Sequence, residues 1–481
     1  MCALKVIEAA LALIHEEVKL RLCDGRNADM GVALRQLPSD LSASPGDGDI
    51  TRRRLIQGSA AVLLQAAVMP FGRANVARAQ PAAKSATEAT PYSQAVLPTG
   101  IRSRFVHNIN GLRMHVLEAG FEVKDRPGVV LLHGFPELAY SWRKVMLPIA
   151  EAGFHVIAPD RRGYGRTSGW DVRYDDDPGS FATLNQVRDV LGLASAFGYR
   201  SVAAVIGHDF GSPLAAWCSL VRPDFFRSVV MMSAPFAGPP ALPFNTADAT
   251  QADTTPSAVA DPIYDDLAKL DPPRKHYQKY YATREANENM WHARQGVHDF
   301  LRAYYHMKSA DWKQNDPFPL KARTASEWTK LPRYYVMDLD KGMAETVSPA
   351  MPSSAAIAEC KWLPEDELRV YSAEYERTGF QGGLEEYRMK WIDKYYAELQ
   401  LFSGRTIDVP SLFIAGKSDW GVYQSPGDFE RMQKTACRRM VGAHLLNGAG
   451  HWVQQEQAEE VSKLLVQFLH EKASGSNMAV E

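Results

Sequence analysis

From Ile101 onward, short apolar runs alternate with stretches of helical periodicity, a pattern that predicts a mostly parallel sheet covered by helices on both faces. Residues 102–108 and 113–118 predict an antiparallel pair around an Asn110-Gly111 turn. Strands are then expected at 128–132, 154–158, 201–206 and 228–233, with helices near 139–152 and 189–197. The alternation stops at about Phe236, and from there to Arg405 the chain is rich in Pro, Tyr, Trp and charge, with helical stretches and no strand pattern. A compact domain does not carry a structureless loop of that length, so 237–405 is expected to be a helical lid inserted between two late strands. Alternation resumes with a strand at 409–415, a helix at 426–435, a short strand at 443–446 and an amphipathic helix at 453–469. The core is thus expected at 96–236 and 406–475, with no internal repeat.

Upstream the pattern changes. Thr51-Arg52-Arg53-Arg54-Leu55 leads into an apolar stretch ending near Met69, followed by Ala77-Arg78-Ala79 and Gln80. That is the order of an export signal at 51–79: a basic region, a short apolar region and an A-x-A cleavage site. Arginines ahead of a weakly hydrophobic run resemble a twin-arginine signal. A working signal implies a periplasmic or extracellular protein, and an idle one a cytoplasmic protein. The apolar run is too short to span a bilayer comfortably. The 1–50 segment is long for the front of such a signal, so it is either a real extension or Met30 is the start. Residues 80–95, rich in Ala, Pro, Ser and Thr, read as a linker.

Composition narrows the function classes. The 481 residues, 46% apolar with a formal charge of -2, describe a globular protein with room for one large domain and an insertion. The near-neutral balance argues against a nucleic-acid binder, which would carry a basic stripe. Cys2, Cys23, Cys218, Cys360 and Cys437 have no C-x-x-C spacing, so neither a zinc site nor a disulfide scaffold is expected. Nothing in the sequence points to a particular oligomeric state.

The chemistry begins at Gly207-His208-Asp209-Phe210-Gly211, where an apolar strand turns into a helix. Small residues on both flanks suit the nucleophile elbow of α/β-hydrolases, usually G-x-S-x-G, here with Asp209 at the centre. A carboxylate there attacks carbon and forms an ester with the enzyme, which suits opening C–O or C–halogen bonds. Asp209 as a plain helix N-cap is the alternative. In that fold the order along the chain is nucleophile, acid, histidine. Asp419 follows a late strand within Gly416-Lys417-Ser418-Asp419-Trp420, and His451 lies in Gly448-Ala449-Gly450-His451-Trp452 before the last helix. Singly, Asp419 could be a turn residue and His451 a cap; together, each after the expected element, they predict a triad. An oxyanion hole needs two backbone amides, which assigns those of Phe135, in His133-Gly134-Phe135-Pro136, and Phe210.

The runs 132–137, 159–165 (Pro159-Asp160-Arg161-Arg162-Gly163-Tyr164-Gly165), 207–211 and 450–452 together resemble the α/β-hydrolase-fold epoxide hydrolases. The resemblance covers roughly 101–236 and 405–470 and is weaker in the lid. It implies two lid tyrosines that hydrogen-bond the epoxide oxygen. Tyr387 takes the second role, in a segment similar to the family's (379–388), and Tyr277 the first, with Tyr280 and Tyr281 as alternatives or, equally, all three as lid packing. It further implies His133, Pro136 and Trp452 as substrate-binding residues, a small-molecule epoxide as partner, and no metal or organic cofactor.

The expected cycle has Asp209 attacking a ring carbon, the tyrosines protonating the oxygen, and His451, oriented by Asp419, activating water to release a vicinal diol. Activity should fall once the histidine is protonated, because only the neutral imidazole is a base. A dehalogenase would use the same triad, but needs a halide donor. Phe210 and Phe135 stand where such donors would be, and Gly211-Ser212-Pro213-Leu214 lacks the arginines of fluoroacetate dehalogenases. A binding protein on a hydrolase fold is the alternative from a different class.

Overall fold

The computed structural model describes residues 89–171, 173–242 and 261–475, so the expected export signal, the extension before it and most of the linker lie outside the described residues. Ten strands are β1 (Ile101–Ile109), β2 (Leu112–Ala119), β3 (Gly128–Leu132), β4 (His155–Pro159), β5 (Ala204–His208), β6 (Val229–Met232), β7 (Arg274–His276), β8 (Val336–Asp338), β9 (Ser411–Gly416) and β10 (Met440–Leu446). Eight form one sheet in the order β1-β2-β4-β3-β5-β6-β9-β10. β2 runs antiparallel to both β1 and β4, and every other pair is parallel. The hairpin closes with Ile109 opposite Leu112, and both intervening residues have positive φ, Asn110 at 50° and Gly111 at 84°, the turn whose twist matches that of the strands.

The central strands are short apolar runs because both of their faces are covered. Val129 and Leu131 point into one buried cluster, Val130 and Leu132 into the other, as the two-residue repeat of a strand requires. Helix α1 (Arg143–Glu151) packs on the first side, while α2 (Thr183–Ala196) and α3 (Gly211–Val221) pack on the second. The predicted alternation therefore matches the sheet, with shifted ends: the strand expected at 201–206 is β5, which runs on to His208 and delivers the elbow from its last residue.

Between β6 and β9 lies the insertion. Its described helices include α4 (Tyr277–Tyr281), α5 (Gly296–Lys308), α6 (Glu365–Thr378) and α7 (Gln381–Met389). The expectation of no strands there needs correction: β7 and β8 pair antiparallel, and each is only three residues long, too short for alternation to register. The last predicted helix is two, Val453–Glu456 and α8 (Ala458–Gly475).

The insertion is tied to the core by buried polar contacts. Arg161 on the loop after β4 pairs with Glu386 on α7, both almost fully buried, and Tyr164 donates to Glu386 Oε2 at 2.7 Å. Gly163 and Gly382 cross so closely that a Cβ on Gly382 would lie 2.1 Å from the Gly163 carbonyl oxygen. Tyr305 on α5 donates to the Pro136 carbonyl at 2.9 Å. Removing one partner of a buried ion pair strands the other charge, at a cost of about 3–5 kcal/mol, so these contacts fix where the insertion sits over the sheet.

Candidate active site

Asp209 sits at φ 52°, a left-handed conformation costing a non-glycine residue about 1–2 kcal/mol. The turn is forced by its neighbours. A Cβ on Gly207 would stand 1.8 Å from the Gly211 carbonyl oxygen, one on Gly211 2.0 Å from that of Leu132, and one on Gly134 2.3 Å from Asp209 Cβ. Small residues are thus required where the chain passes itself, and the strain lifts the Asp209 side chain off the sheet. The following helix begins with Phe210 at its cap position and no side-chain cap bond, so the N-cap alternative for Asp209 does not hold.

The carboxylate has two distinct sides. Oδ1 accepts the Phe135 N–H at 2.9 Å, and Oδ2 lies 3.3 Å from His451 Nε2. The second is a close approach without hydrogen-bond geometry, and Nε2 has no hydrogen-bond partner among the described residues. The Phe210 amide makes no bond to the carboxylate here, so one of the two expected oxyanion donors is engaged. Burial would raise the pKa of Asp209, but His451, with the charges of Lys308 and His208, holds it far below the ordinary carboxylate range. Asp209 is therefore an anion at any physiological pH.

Behind the imidazole stands a carboxylate–hydroxyl pair. His451 Nδ1 is 3.1 Å from Asp419 Oδ1 and 2.9 Å from Ser233 Oγ, while Ser233 donates its proton to Asp419 Oδ2 at 2.6 Å. With the serine proton committed, Nδ1 must carry the imidazole proton, which leaves the Nε2 lone pair facing Asp209. Asp419 also accepts the Gly421 N–H at 2.7 Å. Burial works against its charge, but His451, Ser233 and that amide outweigh it and lower its pKa. Glu456 braces the histidine loop by accepting the N–H groups of Gly450 (2.9 Å) and Trp452 (3.0 Å), on either side of His451.

Beneath the elbow, His208 places one ring nitrogen 2.6 Å from Glu137 Oε2 and the other 2.6 Å from the His451 carbonyl oxygen. Both neighbours are acceptors. Burial opposes charge on His208, but Glu137 prevails and raises its pKa, while His208 in turn lowers that of the buried glutamate. This pair joins the loop after β3, the elbow and the histidine loop.

The insertion contributes a wall of rings. Tyr387 packs edge-on against Phe210 at 4.5 Å between centroids and Phe135 at 5.5 Å, and Tyr277 lies 5.9 Å from Tyr387. The Tyr277 hydroxyl accepts from Gln278 Nε2 at 3.0 Å and donates to Gln424 Oε1 at 3.2 Å. The Tyr387 hydroxyl has no bond among the described residues. Burial raises the pKa of both phenols, and the Asp209 charge adds to the rise in each. Tyr280 faces elsewhere, with Lys275 over its ring at 4.5 Å, and the Tyr281 hydroxyl meets that of Tyr304 at 3.4 Å. Lys308 closes the wall. It is 4% exposed and has no carboxylate partner among the described residues, with Nζ 5.3 to 6.0 Å from the rings of Trp452, Tyr304, Tyr335 and Tyr334.

The three residues expected to bind substrate are all engaged within the protein. Both ring nitrogens of His133 are engaged inside the protein: Nδ1 with the Gly134 carbonyl at 2.9 Å, and Nε2 as acceptor of the Arg161 N–H at 3.1 Å. Burial, reinforced by Arg161, lowers its pKa to about 4, so it is a neutral framework residue. Trp452 donates to the Tyr305 carbonyl at 2.8 Å and is fully buried. Pro136 is buried as well, its carbonyl holding Tyr305.

Comparison with known proteins meets this geometry. Residues 127–458 match the model of the alpha/beta hydrolase fold family. The chain is 31% identical to epoxide hydrolase B of Mycobacterium tuberculosis over 379 residues, 75% of this chain and 96% of that protein. The chain belongs to the epoxide hydrolase family of α/β-hydrolases. An epoxide hydrolase of Caballeronia sordidicola is 29% identical, covering 75% of this chain and 91% of its own length. Among solved structures, an epoxide hydrolase from an endophytic Streptomyces superposes with a TM-score of 0.61 at 29% identity, over 78% of this chain and 96% of the other. Potato epoxide hydrolase I does so with 0.57 at 27%, over 77% and 99%. In this member of the family, Ser233, Glu137, His208 and Lys308 are the site residues that sequence reasoning missed. His208, at the end of β5, and Glu137, on the loop after β3, were legible as polar residues beside the motifs, whereas Ser233 and Lys308 gave no local signal.

Proposed function

We propose that the protein hydrolyses an epoxide to a vicinal diol through an ester on Asp209. The observation that carries this is a carboxylate, in place of a hydroxyl, at the elbow, with Oδ1 on the Phe135 amide and Oδ2 facing His451. Since Oδ1 already occupies the oxyanion position, Oδ2 is the attacking atom. It forms a bond to a ring carbon as the carbon–oxygen bond breaks, and the leaving alkoxide takes a proton from Tyr277 or Tyr387. Tyr387 packs on Phe210 and Phe135 beside the nucleophile, Tyr277 packs on Tyr387, and the Asp209 charge reaches both phenols, which supports this pair. His451 then takes a proton from water through Nε2, and the hydroxide attacks Cγ of Asp209. The oxyanion develops on Oδ1 against the Phe135 amide, and Phe210 swings into use as the second donor when the charge grows. Collapse releases the diol with Oδ2 in it, and the proton on His451 returns to the tyrosinate. Asp419, with Ser233, holds the imidazole in the required tautomer throughout.

The His133-Gly134-Phe135-Pro136 loop is thus the donor loop of the oxyanion hole, and the 237–405 insertion is the lid that brings the phenols. Neither the Phe135 nor the Phe210 side chain can donate to a halide, which disfavours the dehalogenase alternative. Arg52-Arg53-Arg54, the apolar run and Ala77-Arg78-Ala79 support export of the mature protein; processing of full-length protein to a start near Gln80 in a host with a twin-arginine route tests this. For the reaction itself the test is styrene oxide hydrolysis by wild type and Asp209→Ala. Diol from the first and none from the second is expected. Equal rates from both across a panel of epoxides and haloalkanes would favour the binding-protein alternative.

A further inference from the structure

Three residues beyond Tyr387, just past the end of α7, Lys390 holds an exposed ammonium that forms no ion pair among the described residues. Its Nζ lies 5.0 Å from the centroid of the Phe210 ring and donates to the neutral amide oxygen of Gln278 at 3.2 Å. Phe210 directly follows the nucleophile, and Gln278 holds the Tyr277 hydroxyl. The cation therefore lies beside two residues that adjoin the nucleophile and the Tyr277 hydroxyl, and its contact with Gln278 is open to solvent.

The ionisable groups around it do not neutralise it. Glu386 on α7 is taken by Arg161 and Tyr164. His276, at the end of β7, is kept uncharged by burial, with Lys390 and Arg323 adding to the effect. Asp209 is the reacting group itself. Asp209 and Glu386 both pull toward the charged form of Lys390, so the exposed ammonium is held as a cation. An apolar epoxide gains nothing from such a residue, because an ammonium next to aromatic walls only adds a desolvation cost. An anionic substrate gains twice. The lysine draws it in, and it offsets the repulsion between the substrate's charge and the Asp209 carboxylate. Lys308, enclosed in its rings, adds positive charge behind the same carboxylate.

We propose that Lys390 is the recognition cation of this site, and that the substrate is an epoxide carrying a carboxylate within a few bonds of the ring. This rests on the epoxide reading above and adds the substrate class. Attack, ring opening and ester hydrolysis are unchanged; the carboxylate is held and does not react.

The test compares 3-phenylglycidate with its uncharged amide on full-length protein, since the two share ring and phenyl group and differ in one charge. At pH 7 the wild type should favour the acid in kcat/KM by about fivefold, the upper scale of an exposed charge pair. That ratio should decline once the pH is high enough to remove the Lys390 proton, and not before. Lys390→Gln should bring the ratio to about one at every pH, whatever it does to the two absolute rates, and Lys390→Arg should keep the ratio and carry it to higher pH. A ratio in Lys390→Gln within about twofold of wild type overturns the proposal, as does a wild type that hydrolyses both compounds alike; in either case diol formation leaves the epoxide reading standing. If wild type opens neither compound nor styrene oxide, the epoxide reading falls and takes this one with it.

Discussion

Changing Tyr277 or Tyr387 to phenylalanine removes a single hydroxyl, and the structure says what each change should cost. The Tyr387 hydroxyl has no bond among the described residues, so its loss strands no partner and should leave stability within about 0.5 kcal/mol. Tyr277 is bonded to Gln278 and Gln424, so Tyr277→Phe forfeits about 1 kcal/mol of hydrogen bonding. In the reaction, each phenol is one of two donors to an oxygen that gains a full charge. Losing one such donor costs about 2.7–4 kcal/mol in the transition state, or about 10²- to 10³-fold in the rate of ester formation. Ester hydrolysis, which the imidazole controls, should change by less than about threefold. Tyr280→Phe and Tyr281→Phe are the controls: they lie in the same short helix, but Lys275 lies over the Tyr280 ring and the Tyr281 hydroxyl meets that of Tyr304. Single-turnover mixing of enzyme in excess over styrene oxide, quenched and analysed for covalent ester and diol, separates the two steps. If Tyr281→Phe lost ester formation while Tyr277→Phe kept it, the assignment of the first phenol would be wrong.

Three further outcomes follow from the geometry. Ser233→Ala removes the hydroxyl that fixes Asp419 and leaves Nδ1 one acceptor fewer; diol release should slow by about tenfold while ester formation holds, read in the same quenched mixing. Arg161→Met strands the Glu386 charge in a buried site and should cost about 3–5 kcal/mol in urea unfolding, and the double change Arg161→Met/Glu386→Leu should recover most of it; equal losses in the two variants would contradict the anchoring role. Stability should also be lost on acidification. His133 is held neutral in the fold, down to about 4 from its ordinary 6.5, so its contribution is complete above pH 6.5 and drains as the pH falls to 4. Glu118 and Asp160 resist burial only through their partners (His155, Arg102 and Arg104 for the first, His115 for the second), and both sit at about 2, so their share is lost between their unfolded values and pH 2. Burial raises Glu456 to about 8, and its protonation offsets the His133 loss down to about pH 4.5, so thermal unfolding midpoints should fall mainly from pH 4.5 to pH 3; a flat profile there would contradict this.

Much of the fold was legible because parallel strands buried on both faces leave continuous apolar runs, and because Gly207, Gly211 and Gly134 mark points where a side chain cannot fit. The order of Asp209, Asp419 and His451 along the chain was equally readable. What failed to show has identifiable causes. β7 and β8 are three-residue strands of mixed polarity, with no period to detect. Tyr277, Tyr280 and Tyr281 fall at helical spacings of three and four, which puts them on neighbouring positions of one turn, so only packing separates them. Ser233 follows β6 with φ 69°, a conformation no pattern of residue types announces. The internal bonds of His133 and Trp452 were not legible either, because a motif contains the residues that hold a loop as well as those that meet the ligand.

The account stands on covalent attachment through Asp209 Oδ2, and one turnover in oxygen-18 water tests that atom directly. With enzyme in excess, the diol from the first turnover should carry no label, because its second oxygen comes from the aspartate, and the peptide containing Asp209 should gain one heavy oxygen. A labelled diol with an unlabelled peptide would mean that water attacks the epoxide itself, and the ester route would be excluded.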